Sequence, residues 1–317
     1  MKILHHNDAD GFGAAYIVKR QYENSKRDIK LYELDYNKIL PLDEIEKDEQ
    51  VFIVDFSLDP NDMLKLLNKT QNVTWIDHHK SAIERHNEWW NNLSMSSGLK
   101  DLAGVRLNGI SGTGLTYLYF EEGVTQDYWN ELLKVSLNEE EALDTLKQLL
   151  KNAPLWVRLV DDWDVWNLTM PESEQLQIAI ANKLTIDLFE EMDNTPEKLD
   201  RLLTTGQSYL DYRKEWSNKF MDKYGFERDI VYDGQEYHCL VANLGNANSK
   251  FFGDNEDKYD MLITYCYNGD NYNYSLYSTK DNVDCSVIAK AMGGGGHKGA
   301  AGFSSKYDFE NWCDNEI

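Results

Sequence analysis

Three short segments of this chain carry side chains able to hold metal ions. His5-His6-Asn7-Asp8-Ala9-Asp10-Gly11 offers imidazoles and two carboxylates. Asp55 follows the apolar run Val51-Phe52-Ile53-Val54, and Asp77-His78-His79 closes the run from Val73 to Ile76. Carboxylates gathered in a cleft repel one another unless a cation neutralises them, and divalent metal is the simplest neutraliser. Mixed nitrogen and oxygen donors without thiolate suit manganese, magnesium, iron or zinc, with manganese a good fit. Two such ions ~3.5–4 Å apart, bridged by a carboxylate, can clamp a phosphoryl group and activate water. Each segment alone has a plainer reading. Asp-x-Asp-Gly is often a turn, Asp55 could cap a helix starting near Pro60, and paired histidines usually sit on the surface or in a satisfied core. Their recurrence at successive strand ends argues for a site.

Two further segments belong with these. Asp161-Asp162-Trp163-Asp164-Val165-Trp166 follows the apolar run from Leu155 to Val160. Read plainly, it is a helix C-terminus with solvated acids, but acids are disfavoured there by the backbone dipole, so three of them suggest a cationic partner. Near the C-terminus stands Gly293-Gly294-Gly295-Gly296-His297-Lys298-Gly299-Ala300-Ala301-Gly302-Phe303. Glycines let backbone N–H groups approach an anion, and His297 and Lys298 add donors and charge. This stretch is expected to be a tight, phosphate-facing turn, although a flexible loop is the common alternative.

The elements that must position these residues can be read from hydrophobic patterning. Strands are predicted at 2–6, 28–34, 50–55 and 73–77, with helices at 11–22 and 61–68. This alternation predicts a parallel sheet covered by helices on both faces, whose ligand site lies beyond the carboxyl ends of the strands. Residues 85–112 look less regular, with a strand at 105–107, and a helix is predicted from about 112 to 122. Residues 125–222 read as mostly helical, ending in a long charged helix from Thr195-Pro196. From about residue 226 the pattern changes to strands at 229–232, 237–242, 261–267 and 272–277, with a turn at Asn268-Gly269-Asp270 and a short helix at 283–292.

Composition bounds the partners. A chain of 317 residues suits two domains rather than one core. No run approaches the ~20 apolar residues of a membrane helix. The start of the chain lacks a signal-peptide layout, so a cytoplasmic protein without membrane partners is expected. Cys239, Cys266, Cys285 and Cys313 show no CxxC spacing and read as reduced thiols. The net charge of −23 and the lack of a basic stripe argue against tracking long nucleic acid.

With these motifs in order, the sequence resembles the DHH phosphoesterase superfamily along nearly its whole length. His6 to Gly11 looks like its first motif, Val54-Asp55 the second and Asp77-His78-His79 the third. The 161–164 acids look like the fourth, and Gly293 to Phe303 resembles the glycine-histidine motif of the DHH-associated C-terminal domain. The resemblance implies an α/β fold: an N-terminal parallel-sheet DHH domain (1–194), a helical connector (195–225) and a smaller mixed α/β substrate-binding domain (226–317). It implies that His6, Asp8 and Asp55 hold one metal. Asp10, Asp55, His78 and a fourth-motif acid would hold another, with Asp55 bridging. Asp164 is favoured as that acid because its Asp-x-Trp setting is similar to the nanoRNase branch; Asp161 and Asp162 stay open. His79 would face the phosphate, and Asp77 would orient a histidine. Gly295, Gly296, His297 and Lys298 would bind the substrate's terminal phosphate or nucleotide.

Two features depart from the family pattern. His6 lies two residues before Asp8, which resembles the nanoRNase and RecJ branches rather than the pyrophosphatases. Ser275-Leu276-Tyr277-Ser278 carries tyrosine where many relatives carry a phosphate-binding arginine; a tyrosine can stack on a base or donate one hydrogen bond but cannot grip phosphate in a bidentate way. The expected activity is hydrolysis of very short oligonucleotides to nucleoside monophosphates with two divalent ions, most simply Mn2+. Tyr272, Tyr274 and Tyr277 could stack on bases. The expected partners are a short oligonucleotide or dinucleotide, with a homodimer left open. Alternatives are hydrolysis of cyclic or linear dinucleotides or of nucleotide bisphosphates, a RecJ-like single-strand DNA exonuclease, and a binding module without catalysis.

Overall fold

The computed structural model describes residues 1–35, 38–92 and 102–315, and the chain divides into two units, Met1–Gln207 and Ser208–Ile317. The first unit begins with β1 (Lys2–His6), α1 (Ala9–Tyr22), β2 (Lys30–Leu34), β3 (Val51–Val54), α2 (Pro60–Lys69) and β4 (Val73–Asp77). It continues through α3 (Lys80–Asn92), β5 (Ala103–Arg106) and α4 (Gly112–Glu121). The strands form a wholly parallel sheet of order β2-β1-β3-β4-β5.

Alternate residues of each strand enter different cores. Ile3, Phe52, Val54 and Ile76 pack with α1 and α4, whereas Leu4, Val51, Ile53, Val73 and Trp75 pack with Met63, Leu66 and Leu67 of α2. Side chains on a strand alternate between the sheet's faces, so both faces are covered. The parallel α/β class expected from sequence is the one observed.

Helices α5 (Gln126–Val135), α6 (Glu139–Leu150), α7 (Leu155–Asp164), α8 (Pro171–Ile180) and α9 (Ile186–Asn194) complete this unit, and α10 (Pro196–Tyr224) runs across the division. Leu199 and Leu202 of α10 are buried in the first unit's core, and Met221 in a core of the second. Among the described residues no helix is long and apolar enough to cross a membrane.

The second unit contains β6 (Phe226–Tyr232), β7 (Gln235–Asn243), β8 (Met261–Tyr267), β9 (Tyr272–Tyr277), α11 (Cys285–Ala291), β10 (Gly295–His297), β11 (Ala300–Ser305) and α12 (Phe309–Asn315). Its mixed sheet has the order β10-β11-β9-β8-β7-β6, with only the β7–β8 pairing parallel. The four cysteines are free thiols.

The glycine-rich stretch folds as a tight β10–β11 hairpin rather than the flexible-loop alternative, with Gly295 paired to Gly302 and His297 to Ala300; two other sequence readings need correction. Gly296 (φ +140°) lies so near β11 that a Cβ would stand 2.5 Å from the Ala301 Cα, so the glycine permits close strand approach. The stretch read as irregular from residue 85 is helical through Asn92, and residues 93–101 lie outside those described. Tyr274 cannot stack on a base: it is 2% exposed, packed between Phe303 and Trp312.

Asp193 of α9 ties three helices together. It accepts hydrogen bonds from Tyr16 Oη (2.9 Å) and Arg20 Nη1 (2.7 Å) of α1, and from Trp156 Nε1 (2.9 Å) of α7. Burial raises its carboxyl, but the Trp156, Arg20 and Tyr16 donors outweigh burial and hold it below the usual carboxylate range. A depressed folded-state value adds stability above the unfolded value of about 3.9 and loses it as pH falls through the folded one. Asp193→Ala is expected to cost about 2–3 kcal/mol in urea unfolding at pH 7. The wild-type advantage should shrink below about pH 4; an advantage that grew with acidification would refute the assignment.

Candidate metal centre

A sheet of order β2-β1-β3-β4-β5 has its topological switch between β1 and β3, and ligands bind such sheets beyond the strands' carboxyl ends at that point. His6 ends β1, Asp55 directly follows β3, and Asp77 ends β4. The backbone there places two acids and a histidine at one crevice.

Asp8 caps α1, accepting from the Gly11 N–H at 2.9 Å, and its other oxygen lies 2.6 Å from His6 Nδ1. Asp10, buried in the first turn of α1, accepts from the Gly112 (2.6 Å) and Thr113 (2.8 Å) N–H groups at the start of α4. Both acids thus sit at the positive ends of helices. Asp55 is 1% exposed and adopts a left-handed backbone (φ +51°), a strained conformation that active sites often retain. Gly112 allows this: a Cβ there would stand 2.4 Å from the Asp55 Cβ.

His78 Nε2 faces three carboxylates, at 3.1 Å from Asp55, 3.3 Å from Asp164 and 3.6 Å from Asp10. Asp77 is fully buried. It accepts from the His78 and His79 N–H groups and the Ser57 hydroxyl, and lies 2.7 Å from His79 Nδ1. It therefore orients His79 rather than His78.

The donor atoms fall into overlapping groups. Those of His6, Asp8 and Asp55 lie within 4.8 Å of one another, as do those of Asp10, His78 and Asp164, and those of Asp55, His78 and His79. With the carboxylates ionised, neither Asp55 oxygen and not Asp164 Oδ2 accepts a hydrogen bond, although all three atoms are buried. Buried anionic oxygens without donors are costly unless a cation meets them. The donor set therefore fits hard or borderline divalent ions.

The electrostatics carry the same imprint. Burial, followed by the charges of Asp10, Asp8, Asp164 and Asp77, pushes the Asp55 carboxyl well above the usual range. Burial and the Asp10 and Asp8 charges push Asp164 up to about 9. Burial also raises the Asp8 carboxyl, but the His6 contact outweighs it and holds it low. His79 is raised chiefly by its hydrogen bond to Asp77, and His78 is lowered by burial.

Of the three fourth-motif acids, Asp164 is the one brought to the cluster. Asp161 accepts from the Ser111 N–H at 2.7 Å, and Asp162 binds the Thr169 and Met170 N–H groups. The four residues Gly295 to Lys298 stand together on the second unit's hairpin, with His297 and Lys298 exposed. The Tyr277 hydroxyl donates to the Ala247 carbonyl at 2.6 Å.

Sequence reading missed Ser57, Gly112 and Thr113. Ser111-Gly112-Thr113-Gly114 does signal a helix start, with the Ser111 hydroxyl capping the Gly114 N–H. Its pairing with Asp10, about a hundred residues away, left no local trace.

No protein-family model matches the chain. It is 25% identical over 323 residues to uncharacterized protein R106 of Acanthamoeba polyphaga mimivirus, covering 95% of this chain and 66% of that protein. It is 24% identical over 328 residues to oligoribonuclease NrnB of Bacillus subtilis (strain 168), covering 94% and 71%. The chain thus spans about two thirds of the length of these curated relatives. Among solved structures, RecJ from Thermus thermophilus in complex with Mn2+ aligns with a TM-score of 0.45 at 14% identity, covering 99% of this chain and 50% of that one.

An open parallel sheet with a histidine and carboxylate cluster at its switch point has the layout of a metal-dependent hydrolase. Five motifs in order, four of them meeting at this cluster or beside it, and 24% identity over 94% of the chain to a protein named oligoribonuclease support the resemblance to the DHH superfamily of phosphoesterases.

Mn2+ at about 100 times its Kd is expected to stabilise the wild type by about 2.7 kcal/mol. Asp55→Asn should lose most of that gain and, by removing one of the crowded charges, should melt higher than wild type in EDTA. Thermal unfolding with and without the ion measures both; an undiminished Mn2+ response in the variant would remove Asp55 from the centre.

Proposed function

We propose that this chain is a metal-dependent phosphodiesterase that hydrolyses short oligonucleotides to nucleoside monophosphates. The observation that carries this reading is the meeting of two donor groups at Asp55, a buried carboxylate whose oxygens accept no hydrogen bond. His6, Asp8 and Asp55 would hold one divalent ion, and Asp10, Asp55, His78 and Asp164 a second, with Mn2+ the best match. When bound, two such ions supply charge for phosphoryl oxygens and lower the pKa of water.

The chain's own residues do the rest. Asp77 accepts from the Nδ1 side of His79 and favours its imidazolium form, whose Nε2–H would donate a hydrogen bond to a phosphate oxygen. Ser57 and the N–H groups of His78 and His79 hold Asp77 in place for this. Asp10, clamped to α4, and Asp8, clamped to His6, keep their carboxylates from turning away. Gly295, Gly296, His297 and Lys298 would contact the substrate's terminal phosphate.

Short substrates are favoured by the net charge of −23, which repels a long phosphate backbone. The match to a protein named oligoribonuclease supports the same substrate class.

The test is hydrolysis of a 5′-phosphorylated dinucleotide beside a 20-mer, with Mn2+. The dinucleotide should yield monophosphates at least about ten times faster, and EDTA should abolish cleavage. His78→Ala should lower kcat by about 10²-fold or more, since even a residue behind a metal ligand commonly costs 10–100-fold. Processive degradation of the 20-mer would replace this reading with a RecJ-like one, and cleavage of neither substrate would refute it.

A further inference from the structure

The proposed reaction makes no use of Asp162, Trp163 or Trp166, although they flank Asp164. Helix α7 ends at Asp164, and the chain then turns with two residues in left-handed conformation, Trp166 (φ +56°) and Leu168 (φ +50°). This conformation is disfavoured for any residue with a Cβ, and a large aromatic there is uncommon. Asp162, 4% exposed, holds the turn shut. Its carbonyl accepts from the Asn167 (3.0 Å) and Leu168 (3.3 Å) N–H groups. Its carboxylate accepts from the Thr169 N–H (2.9 Å), the Thr169 hydroxyl (2.6 Å) and the Met170 N–H (3.1 Å).

The outcome is an indole displayed to solvent. Trp166 is 63% exposed, with the Trp163 ring behind it at 5.1 Å in an edge-to-face arrangement. A turn whose purpose was only to end a helix would place glycine or asparagine at the left-handed position. A tryptophan kept for packing would be largely buried. Neither description fits Trp166. Asp164, two residues earlier, has its carboxylate 3.3 Å from His78 Nε2, and two chain steps span no more than about 7–8 Å. A nucleobase is joined to its phosphate through one sugar, so a phosphate at the cluster leaves its base within reach of this turn.

We infer that Trp166, presented by the Asp162-bound turn and backed by Trp163, is the stacking platform for a nucleobase of the substrate. The inference rests on the phosphodiesterase reading above and names what recognises the base. Every base has a π-face, so a single indole grips any of the four with little sequence preference. Asp162 acts as a positioning residue for Trp166.

The experiment uses the full chain, a 5′-phosphorylated dinucleotide, and the same molecule with a non-hydrolysable methylphosphonate linkage. Trp166→Ala is expected to raise KM about ten-fold with kcat changed less than about three-fold, the usual scale for removing one stacking partner. Trp166→Phe should recover part of the loss. The gap to wild type should close to about two-fold on an abasic dinucleotide. The non-hydrolysable analogue should quench a component of tryptophan fluorescence that Trp166→Phe lacks. Trp166→Gly should melt higher than wild type, because glycine accepts the left-handed backbone, yet keep the KM defect; a purely structural Trp166 would give the opposite. An unchanged KM in Trp166→Ala, or an equal defect on the abasic substrate, overturns the inference and leaves the phosphodiesterase reading standing. Trp166-dependent quenching in a protein that cleaves neither substrate supports the platform and sinks that reading. Absence of both quenching and cleavage overturns the two together.

Discussion

Four carboxylates crowd one end of the first unit's sheet, and their mutual repulsion is the constraint around which the site is built. Asp8 and Asp10 are compensated by the fold, since each receives N–H groups at a helix start. Asp55 and Asp164 are not. Asp55 follows a strand in a left-handed backbone, and Asp164 closes a helix at the end where the dipole disfavours an acid. These two are also the carboxyls pushed far up. The protein meets two of the four carboxylates with its own backbone N–H groups and leaves a deficit that divalent cations can fill. A scaffold optimised for stability alone would have replaced Asp55 with a neutral residue. Stability given up at a functional site is a common trade.

Much of this was legible in the sequence, for a physical reason. Strands of a parallel sheet are buried on both faces, so they read as unbroken apolar runs, and Val51 to Val54 ends abruptly at Asp55. The acids and histidines that end those runs inherit a shared location from the sheet. A run of strand ends is therefore a three-dimensional statement written locally. The three acids ending α7 were marked by their mismatch with a helix C-terminus, Asp164 was favoured among them only by its Asp-x-Trp resemblance, and the structure turns Asp161 and Asp162 away to backbone N–H groups.

What escaped the sequence depends on contacts between distant segments. The α4 backbone that holds Asp10 is ordinary as a helix start and acquires its role only when α1 packs against it. Tyr272, Tyr274 and Tyr277 look alike in sequence, yet Tyr274 alone is sealed in by Phe303 and Trp312 from the C-terminal segment. The glycine run suggested a tight turn because glycine suits turns. Gly296 also serves close backbone approach, a demand visible only once β11 is in place.

The short hairpin has a consequence for how the molecule behaves in a crowded solution. The second sheet ends on one side at β10, three residues long, and on the other at β6, which carries Glu227, Arg228 and Asp229. An open sheet edge is a template onto which another chain can add a strand, and brevity or charge at the edge blocks that growth. Lengthening β10 with β-branched residues would sharpen the hairpin and give the sheet a sticky margin. The shortness of β10 and the charges on β6 thus leave both margins of this sheet poorly suited to growth by strand addition.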